Sequence, residues 1–268
     1  LELKMSCLRL AGNELVDSNK GDESLFFFIQ FLEMLQDKEG FLDKPFCNQC
    51  EILQTYSFAN QYYLFRSLGR THAERENIDV AIQCYERCIE LDEDFTCGQD
   101  IVVPLSKLYQ TKALTVNLDN EDSRKVYLDL AWELFQKLFQ KTTELTTFVE
   151  RSFASLLTRL DRCKEAVEHF YKVIERPDDI YITCVGFGNL EKPFVDVYLR
   201  REIEARGGRV FIPLKILAAY ELISTLMNLN QIRKAQKVSF FLESVVQEYP
   251  LTLPVNKLIT HSMAGYAY

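Results

Sequence analysis

Residues 62–95, YYLFRSLGRTHAERENIDVAIQCYERCIELDEDF, contain the pattern that decides the fold. Apolar residues recur at helical spacing on both sides of a short polar segment, where Asn77 can cap a second helix. Gly69 and Ala81 stand where two paired helices would approach most closely, and Tyr85 would fill the space between them. The stretch therefore predicts two short antiparallel helices joined by a tight turn.

The spacing within this hairpin resembles that of the tetratricopeptide repeat family. In that family an aromatic residue, Leu-Gly, Tyr, Ala, a second aromatic residue, Ala and Pro recur at fixed offsets. The residues at those offsets here are Phe65, Leu68, Gly69, His72, Ala81, Tyr85, Cys88 and Glu93. His72, Cys88 and Glu93 depart from the family pattern. The resemblance implies an all-α fold, an α-solenoid of antiparallel helix hairpins with a right-handed superhelix.

Small residues at the position of Ala81 set the register of further copies. Ala131, Ala166 and Ala235 follow it at intervals of 50, 35 and 69 residues, which correspond to one repeat with an insertion, one repeat and two repeats. A long helix at 49–75 is expected to open the second hairpin. We predict a single repeat domain over 1–268, with hairpins at about 1–36, 49–95, 100–141, 146–178, 180–208 and 214–249, and a capping helix at 253–268.

The hairpin expected at 180–208 is the most degenerate copy. Its second helix would occupy 193–206, with Pro at its first turn and two Gly residues after it. Its first segment, 180–187, is rich in β-branched and aromatic residues, so it can be either helical or extended. In the extended case, 209–213 (RVFIP) can pair with it, which would make a small β-hairpin insertion within 180–213.

Composition limits the function classes. The net charge is -8, so the chain as a whole does not attract nucleic acid or an anionic membrane surface. No apolar run reaches the roughly 20 residues that span a bilayer. The 8 cysteines are scattered without the pattern of a disulfide framework, which favours a reducing compartment. We expect a cytoplasmic or nuclear protein, a fragment of a longer chain, with no membrane partner and no direct contact with nucleic acid.

Motifs for catalysis or metal binding are not found. The sequence contains no G-x-S-x-G, P-loop or H-E-x-x-H pattern. Cys47 and Cys50 form a lone C-x-x-C without the second pair that a zinc site requires. His72, His169 and His261 have no partner at a recognisable motif spacing. We expect a chain that is not an enzyme and carries no metal or other cofactor.

The family resemblance implies where a partner would bind. Its concave groove is lined by first-helix positions around the Leu-Gly pair. The residues at these positions are Tyr63, Arg66, Arg70, Lys107, Arg151, Ser155 and Tyr220. The basic members predict a groove suited to an acidic peptide or a carboxylate. A second basic cluster contains Arg200, Arg201, Arg206 and Arg209. It can be a solvated helix face or a site for an acidic partner.

Together these patterns predict a non-catalytic scaffold, a dedicated subunit or fragment of a multiprotein complex that binds a partner segment in its groove. Two alternatives remain open. An all-helical ligand-binding regulator would need titratable groups that converge in a pocket. A nucleic-acid-associated adaptor would use a local basic patch, and its binding would weaken steeply with salt.

Overall fold

The computed structural model describes residues 1–18, 20–58, 60–92, 94–96, 98–115, 121–176, 181–185 and 209–248. The chain divides into two compact units, Leu1–Lys141 and Thr142–Tyr268, called here the N-terminal unit and the C-terminal unit. Within the described ranges, no helix is both long enough and apolar enough to cross a membrane.

The N-terminal unit is a stack of helix hairpins. Its helices are α1 (Glu2–Asp17), α2 (Gly21–Glu39), α3 (Phe46–Gln54), α4 (Gln61–Glu74), α5 (Ile78–Leu91), α6 (Gly98–Thr115) and α7 (Glu121–Lys141), with a 3-10 turn at Phe41–Asp43. The pairs α1–α2, α4–α5 and α6–α7 form the hairpins. Successive hairpins meet where α2 packs on α4 and α5 packs on α6.

The C-terminal unit repeats this arrangement around a short β-hairpin. Its elements are α8 (Thr147–Arg159), α9 (Cys163–Glu175), β1 (Tyr181–Val185), β2 (Arg209–Pro213), α10 (Leu214–Asn228) and α11 (Ile232–Glu248). Helix α8 pairs with α9 and α10 pairs with α11, while α9 packs on α10. The prediction of an all-α fold built from antiparallel helix hairpins is therefore confirmed, with one pair of strands inserted.

The strand pair shows which conformation the first part of the degenerate segment adopts. Strand β1 pairs with β2 in antiparallel fashion, with Ile182 opposite Ile212. For 181–185 the extended alternative is thus correct and the helical alternative is wrong, because β-branched and aromatic residues favour strands. The expected helices at 193–206 and 253–268 lie outside the described residues.

The long helix expected at 49–75 is also wrong, since the chain leaves the helical path between α3 and α4. The rings of Tyr56 and Phe58 turn back onto Phe31 of α2, with centroids 5.1 and 5.5 Å from it. Asn60 then starts α4 by accepting a hydrogen bond from the backbone N–H of Tyr62 at 2.8 Å. The spacing of these aromatic residues fits a helix, but their packing on α2 prevails.

Three of the hairpin turns have the same backbone geometry. In each, one residue after the first helix has a positive φ. These residues are Glu76 (φ 62°), Asp161 (φ 58°) and Asn230 (φ 55°). The next backbone N–H reaches back to a carbonyl five residues earlier. These bonds run from Asn77 to His72 (2.9 Å), from Arg162 to Leu157 (2.8 Å) and from Gln231 to Leu226 (2.8 Å). The pattern is a Schellman motif, which ends one helix and sets the start of the next.

The register alanines follow these turns at a constant distance. Ala81, Ala166 and Ala235 each lie five residues beyond the positive-φ residue and are completely buried. In the first repeat, Gly69 of α4 lies against α5, where an added Cβ would be 3.1 Å from the Tyr85 ring and 3.2 Å from Cys84 Cβ. The small residues therefore allow the close helix approach that the sequence predicts.

Candidate binding surfaces

The predicted groove residues lie on first helices, in α4 and α6 of one unit and α8 and α10 of the other. Each set is described within its own unit. We call Tyr63, Arg66, Arg70 and Lys107 the N-terminal inner face, and Arg151, Ser155 and Tyr220 the C-terminal inner face.

Arg66 links three helices of the N-terminal unit. Its guanidinium donates to Asp22 Oδ1 in the first turn of α2 at 2.6 Å and lies 3.4 Å from Asp100 Oδ2 in the first turn of α6. Only 17% of its side chain is exposed. Burial acts to lower the pKa of Arg66, but the Asp100 and Asp22 carboxylates outweigh it and raise that pKa. Arg66 therefore holds successive hairpins together, and its charge is already compensated.

Asp100 lies between this cation and a second acid. Burial raises the pKa of Asp100, Arg66 lowers it, and the nearby Asp22 carboxylate raises it again. Two carboxylates thus share one guanidinium. Removal of Arg66 would leave the two acids facing each other without a counter-ion.

The other members of the N-terminal inner face differ in exposure. The ring of Tyr63 lies directly on the backbone of Gly21 at the start of α2, where a Cβ would collide with it. Tyr63 is half-buried and therefore packs two hairpins together. Arg70 and Lys107 are exposed. Arg70 Nε donates to Glu74 Oε1 at 3.0 Å across one helical turn, and both side chains are about half exposed.

The C-terminal inner face shows the same use of arginine. Arg151 of α8 donates to the Glu221 carboxylate of α10, and 19% and 23% of these side chains are exposed. Beside this ion pair, the hydroxyls of Thr158 and Thr225 are 3.3 Å apart. Ser155 and Tyr220 are half-buried. Here too an arginine of the predicted groove joins the first helices of neighbouring hairpins.

The second predicted basic cluster falls largely beyond the described residues. Arg200, Arg201 and Arg206 lie in the undescribed range 186–208. Arg209 opens β2, opposite Val185 of β1.

A buried carboxylate that the sequence did not single out lies between α8 and α9. Glu150 is 4% exposed, and its Oε1 lies 2.6 Å from His169 Nδ1 and 3.7 Å from Lys172 Nζ. Arg176 Nη2 is 4.0 Å from Oε2. Burial acts to raise the pKa of Glu150, but the His169 hydrogen bond and the two cations outweigh it and lower the pKa. Three basic side chains of α9 and its C-terminal end thus satisfy one acid of α8.

His72 is fully buried in a hydrogen-bonded chain. Its Nε2 lies 2.9 Å from Gln49 Oε1, and Asn77 Nδ2 lies 3.4 Å from its Nδ1. Gln49 Nε2 donates to the Lys44 carbonyl, so Gln49 Oε1 is the acceptor and His72 Nε2 carries the proton. Asn77 precedes α5, as expected, but its side chain contacts His72 and makes no cap bond to the helix. Burial lowers the pKa of His72 to about 4, so the imidazole is neutral near pH 7.

Three cysteines of the N-terminal unit have thiol pKa values above the ordinary range. Cys84 and Cys88 are buried, and burial raises the pKa of each thiol. Burial likewise raises the pKa of Cys50, which lies in α3 with Cys47. Within the described part of the chain, no three His, Cys, Asp or Glu side chains are arranged to hold a metal ion.

A tetratricopeptide repeat family model matches residues 67–95, which run from the second half of α4 through α5 to Phe95. The α4–α5 hairpin resembles a tetratricopeptide repeat. The match confirms the resemblance that the spacing of Gly69, Ala81 and Tyr85 predicts, and it covers about a tenth of the 268 residues. No protein of curated function matches the chain by sequence.

Comparison with solved structures finds loose matches. A Podosopora anserina kinesin light chain with nearly identical TPR-like repeats shares 10% identity at a TM-score of 0.39, over 87% of this chain and 90% of that one. Human IFIT1, solved as a dimer with PPP-AAAA, shares 13% identity at a TM-score of 0.40, over 97% of this chain and 53% of that one. Overlap at this level is too loose to transfer a ligand or a partner.

Proposed function

We propose that the chain is a non-catalytic scaffold that holds a partner polypeptide on the N-terminal inner face. The repeat at 67–95 supports a protein-interaction role in general. The observation that carries the proposal is the Arg66 link to Asp22 and Asp100. This link fixes three successive hairpins at their inner side, so the neighbouring exposed side chains form a preorganised surface.

An acidic peptide is the partner chemistry that best fits this surface, through Arg70 and Lys107. The exposed Arg70–Glu74 pair contributes only about 0.3–0.5 kcal/mol, so a partner carboxylate can replace Glu74 at little cost. Lys107 is exposed on the neighbouring first helix and adds a second positive charge. Arg66 and Arg151 have structural carboxylate partners, so they position the two inner faces and do not capture the ligand.

A dedicated subunit of one cytoplasmic or nuclear complex fits this proposal better than a general peptide clamp. Strands β1 and β2 interrupt the regular hairpins, and the connection between α6 and α7 is longer than the turn between α4 and α5. Such departures from a regular repeat would suit a surface shaped for one assembly.

Charge reversal tests the proposal. The double variant Arg70→Glu with Lys107→Glu should lower recovery of the co-purified partner at least tenfold, because both exposed cations become repulsive to acidic groups. Arg124→Glu, on the exposed side of α7, is the matched control and should leave recovery unchanged. Circular dichroism would establish that all variants are equally folded. Full recovery of the partner by the folded double variant would contradict the proposal.

A further inference from the structure

Within each unit, second helices pack against the first helix of the next hairpin. This holds for α2 on α4, α5 on α6 and α9 on α10. Two polar side chains of α5 contact α6. Asp79 Oδ1 lies 2.5 Å from Lys112 Nζ, and Glu86 Oε1 accepts a hydrogen bond from the Tyr109 hydroxyl at 2.7 Å. These residues mark the face of a second helix that receives a following helix.

The repeat register identifies the equivalent face of α11. Asp79 lies two residues before Ala81 and Glu86 lies five after it, so their counterparts around Ala235 are Arg233 and Phe240. The counterpart of Ile78, the first residue of α5, is Ile232, the first residue of α11. We call Ile232, Arg233 and Phe240 the α11 end face.

The α11 end face is open to solvent. Ile232 is 46% exposed, Phe240 is 59% exposed, and Arg233 is also exposed. These exposed side chains stand at the positions that on α5 meet the following helix, which makes them a candidate docking surface. Among the elements that the structure describes, none covers this face as α6 covers α5.

The α11 end face differs in chemistry from the equivalent face of α5. An acid at 79 faces a lysine of α6, whereas the α11 counterpart is an arginine. An acid at 86 faces a tyrosine hydroxyl, whereas the counterpart is a phenylalanine. We propose that the α11 end face binds one helix of a partner polypeptide that carries an apolar residue and, three residues later, an Asp or Glu. This is the spacing of Tyr109 and Lys112 on α6 with the chemistry exchanged to match α11.

Charge complementarity favours this partner over other occupants. Residues 249–268 of the chain contain no Asp or Glu, so they cannot supply the acid opposite Arg233. In a second copy of the chain, α6 is packed on its own α5 with Lys112 paired to Asp79, so α6 is not available to the α11 end face. Nucleic acid could contact exposed cations and rings, but only a helix matches the way in which α5 receives α6.

This surface is separate from the N-terminal inner face and does not depend on the function proposed for that face. Variants of Arg70 and Lys107 leave α11 unchanged, and variants of Arg233 leave the inner face unchanged. Failure of either proposal is therefore observed independently of the other.

A charge swap with two helix-stabilised peptides tests the inference. Both peptides have the α6 sequence 98–115 with Tyr109→Leu. The first, called the basic peptide, keeps Lys112, and the second, called the acidic peptide, also carries Lys112→Glu. Fluorescence anisotropy with the full chain should show the acidic peptide binding about tenfold more tightly than the basic peptide. The Arg233→Glu chain should reverse this preference, and the Arg124→Glu chain should keep it.

Several results would overturn the inference. One is equal affinity of the native chain for the two peptides, or binding to neither of them. Another is an unchanged preference in the folded Arg233→Glu chain, which would place the binding site elsewhere. Peptide binding that occurs only after removal of 249–268 would assign the face to the chain's own terminus. Loss of single-stranded oligonucleotide binding in Arg233→Glu, without peptide discrimination, would assign it to nucleic acid.

Discussion

At the residue scale, His72 makes the stability of the N-terminal unit depend on pH. The neutral imidazole donates to Gln49 and accepts from Asn77, so protonation removes the acceptor at Nδ1. The pKa of His72 is about 4 in the folded chain and about 6.5 in an unfolded one, because burial and then the Arg75 charge lower it, while Asp43 acts in the opposite direction. The unfolded state therefore binds more protons between these values.

The free energy of unfolding should fall as pH decreases through this window. The contribution of His72 is fully present above about pH 6.5 and is lost progressively towards about pH 4, with a slope of at most about 1.4 kcal/mol per pH unit. Urea unfolding at a series of pH values would measure it. In His72→Gln this part of the pH dependence of the free energy of unfolding should disappear. Identical pH dependence in the native chain and the variant would show that His72 does not titrate in this way.

The positive-φ residue of the first repeat offers a stabilising substitution. Glu76 has φ 62°, a conformation that costs an L-residue about 1–2 kcal/mol and glycine much less. Glu76→Gly should therefore raise the free energy of unfolding by about 0.5–1 kcal/mol, after allowance for the greater entropy of glycine in the unfolded chain. Gln83→Gly, at an exposed position within α5, is the control and should lower it by about 1 kcal/mol. Equal effects of the two substitutions in urea unfolding would refute the role of the turn.

At the element scale, ion pairs between neighbouring hairpins contribute stability in addition to that of apolar packing. Arg66→Ala should lower the stability of the N-terminal unit by roughly 1–3 kcal/mol, since it leaves Asp22 and Asp100 close together without a counter-ion. Arg70→Ala is the matched control, and its loss should stay within about 0.5 kcal/mol because Arg70 and Glu74 are solvent-exposed.

A double-mutant cycle isolates the coupling. Asp100→Asn should restore part of the stability lost in Arg66→Ala, because it removes the repulsion between the two acids. Chemical unfolding of the native chain, both single variants and the double variant gives the coupling directly. Strictly additive effects would mean that Arg66 does not act through Asp100.

The hairpins were predictable from sequence because their determinants are local. Ala81, Ala166 and Ala235 each lie five residues after a turn residue of positive φ, so spacing alone reveals these three hairpins. The break between α3 and α4 was not predictable, since Tyr56 also fits helical spacing and only its contact with Phe31 shows that the chain turns. The ion-pair partner of Arg66 was not predictable from sequence either. Asp22 lies 44 residues away along the chain, and nothing local marks it.

At the scale of the whole molecule, the chain separates functions among its surfaces. The buried faces of the hairpins supply the core, and Arg66 and Arg151 join helices of neighbouring hairpins within their units. The cations beside the Arg66 link are exposed, so a partner can reach them. The exposed α11 end face is the second surface that we propose, with a preference for a different partner. An adaptor that contacts two polypeptides would use both.

Site-specific photo-crosslinking tests the central claim most directly. A photoreactive phenylalanine analogue placed at Arg70 or Lys107 should form a covalent adduct with a polypeptide in cells that make the partner. The same analogue at Arg124 should form none with that polypeptide. Adducts of equal yield at Arg124, or no polypeptide adduct at Arg70 and Lys107 in the folded chain, would contradict the account.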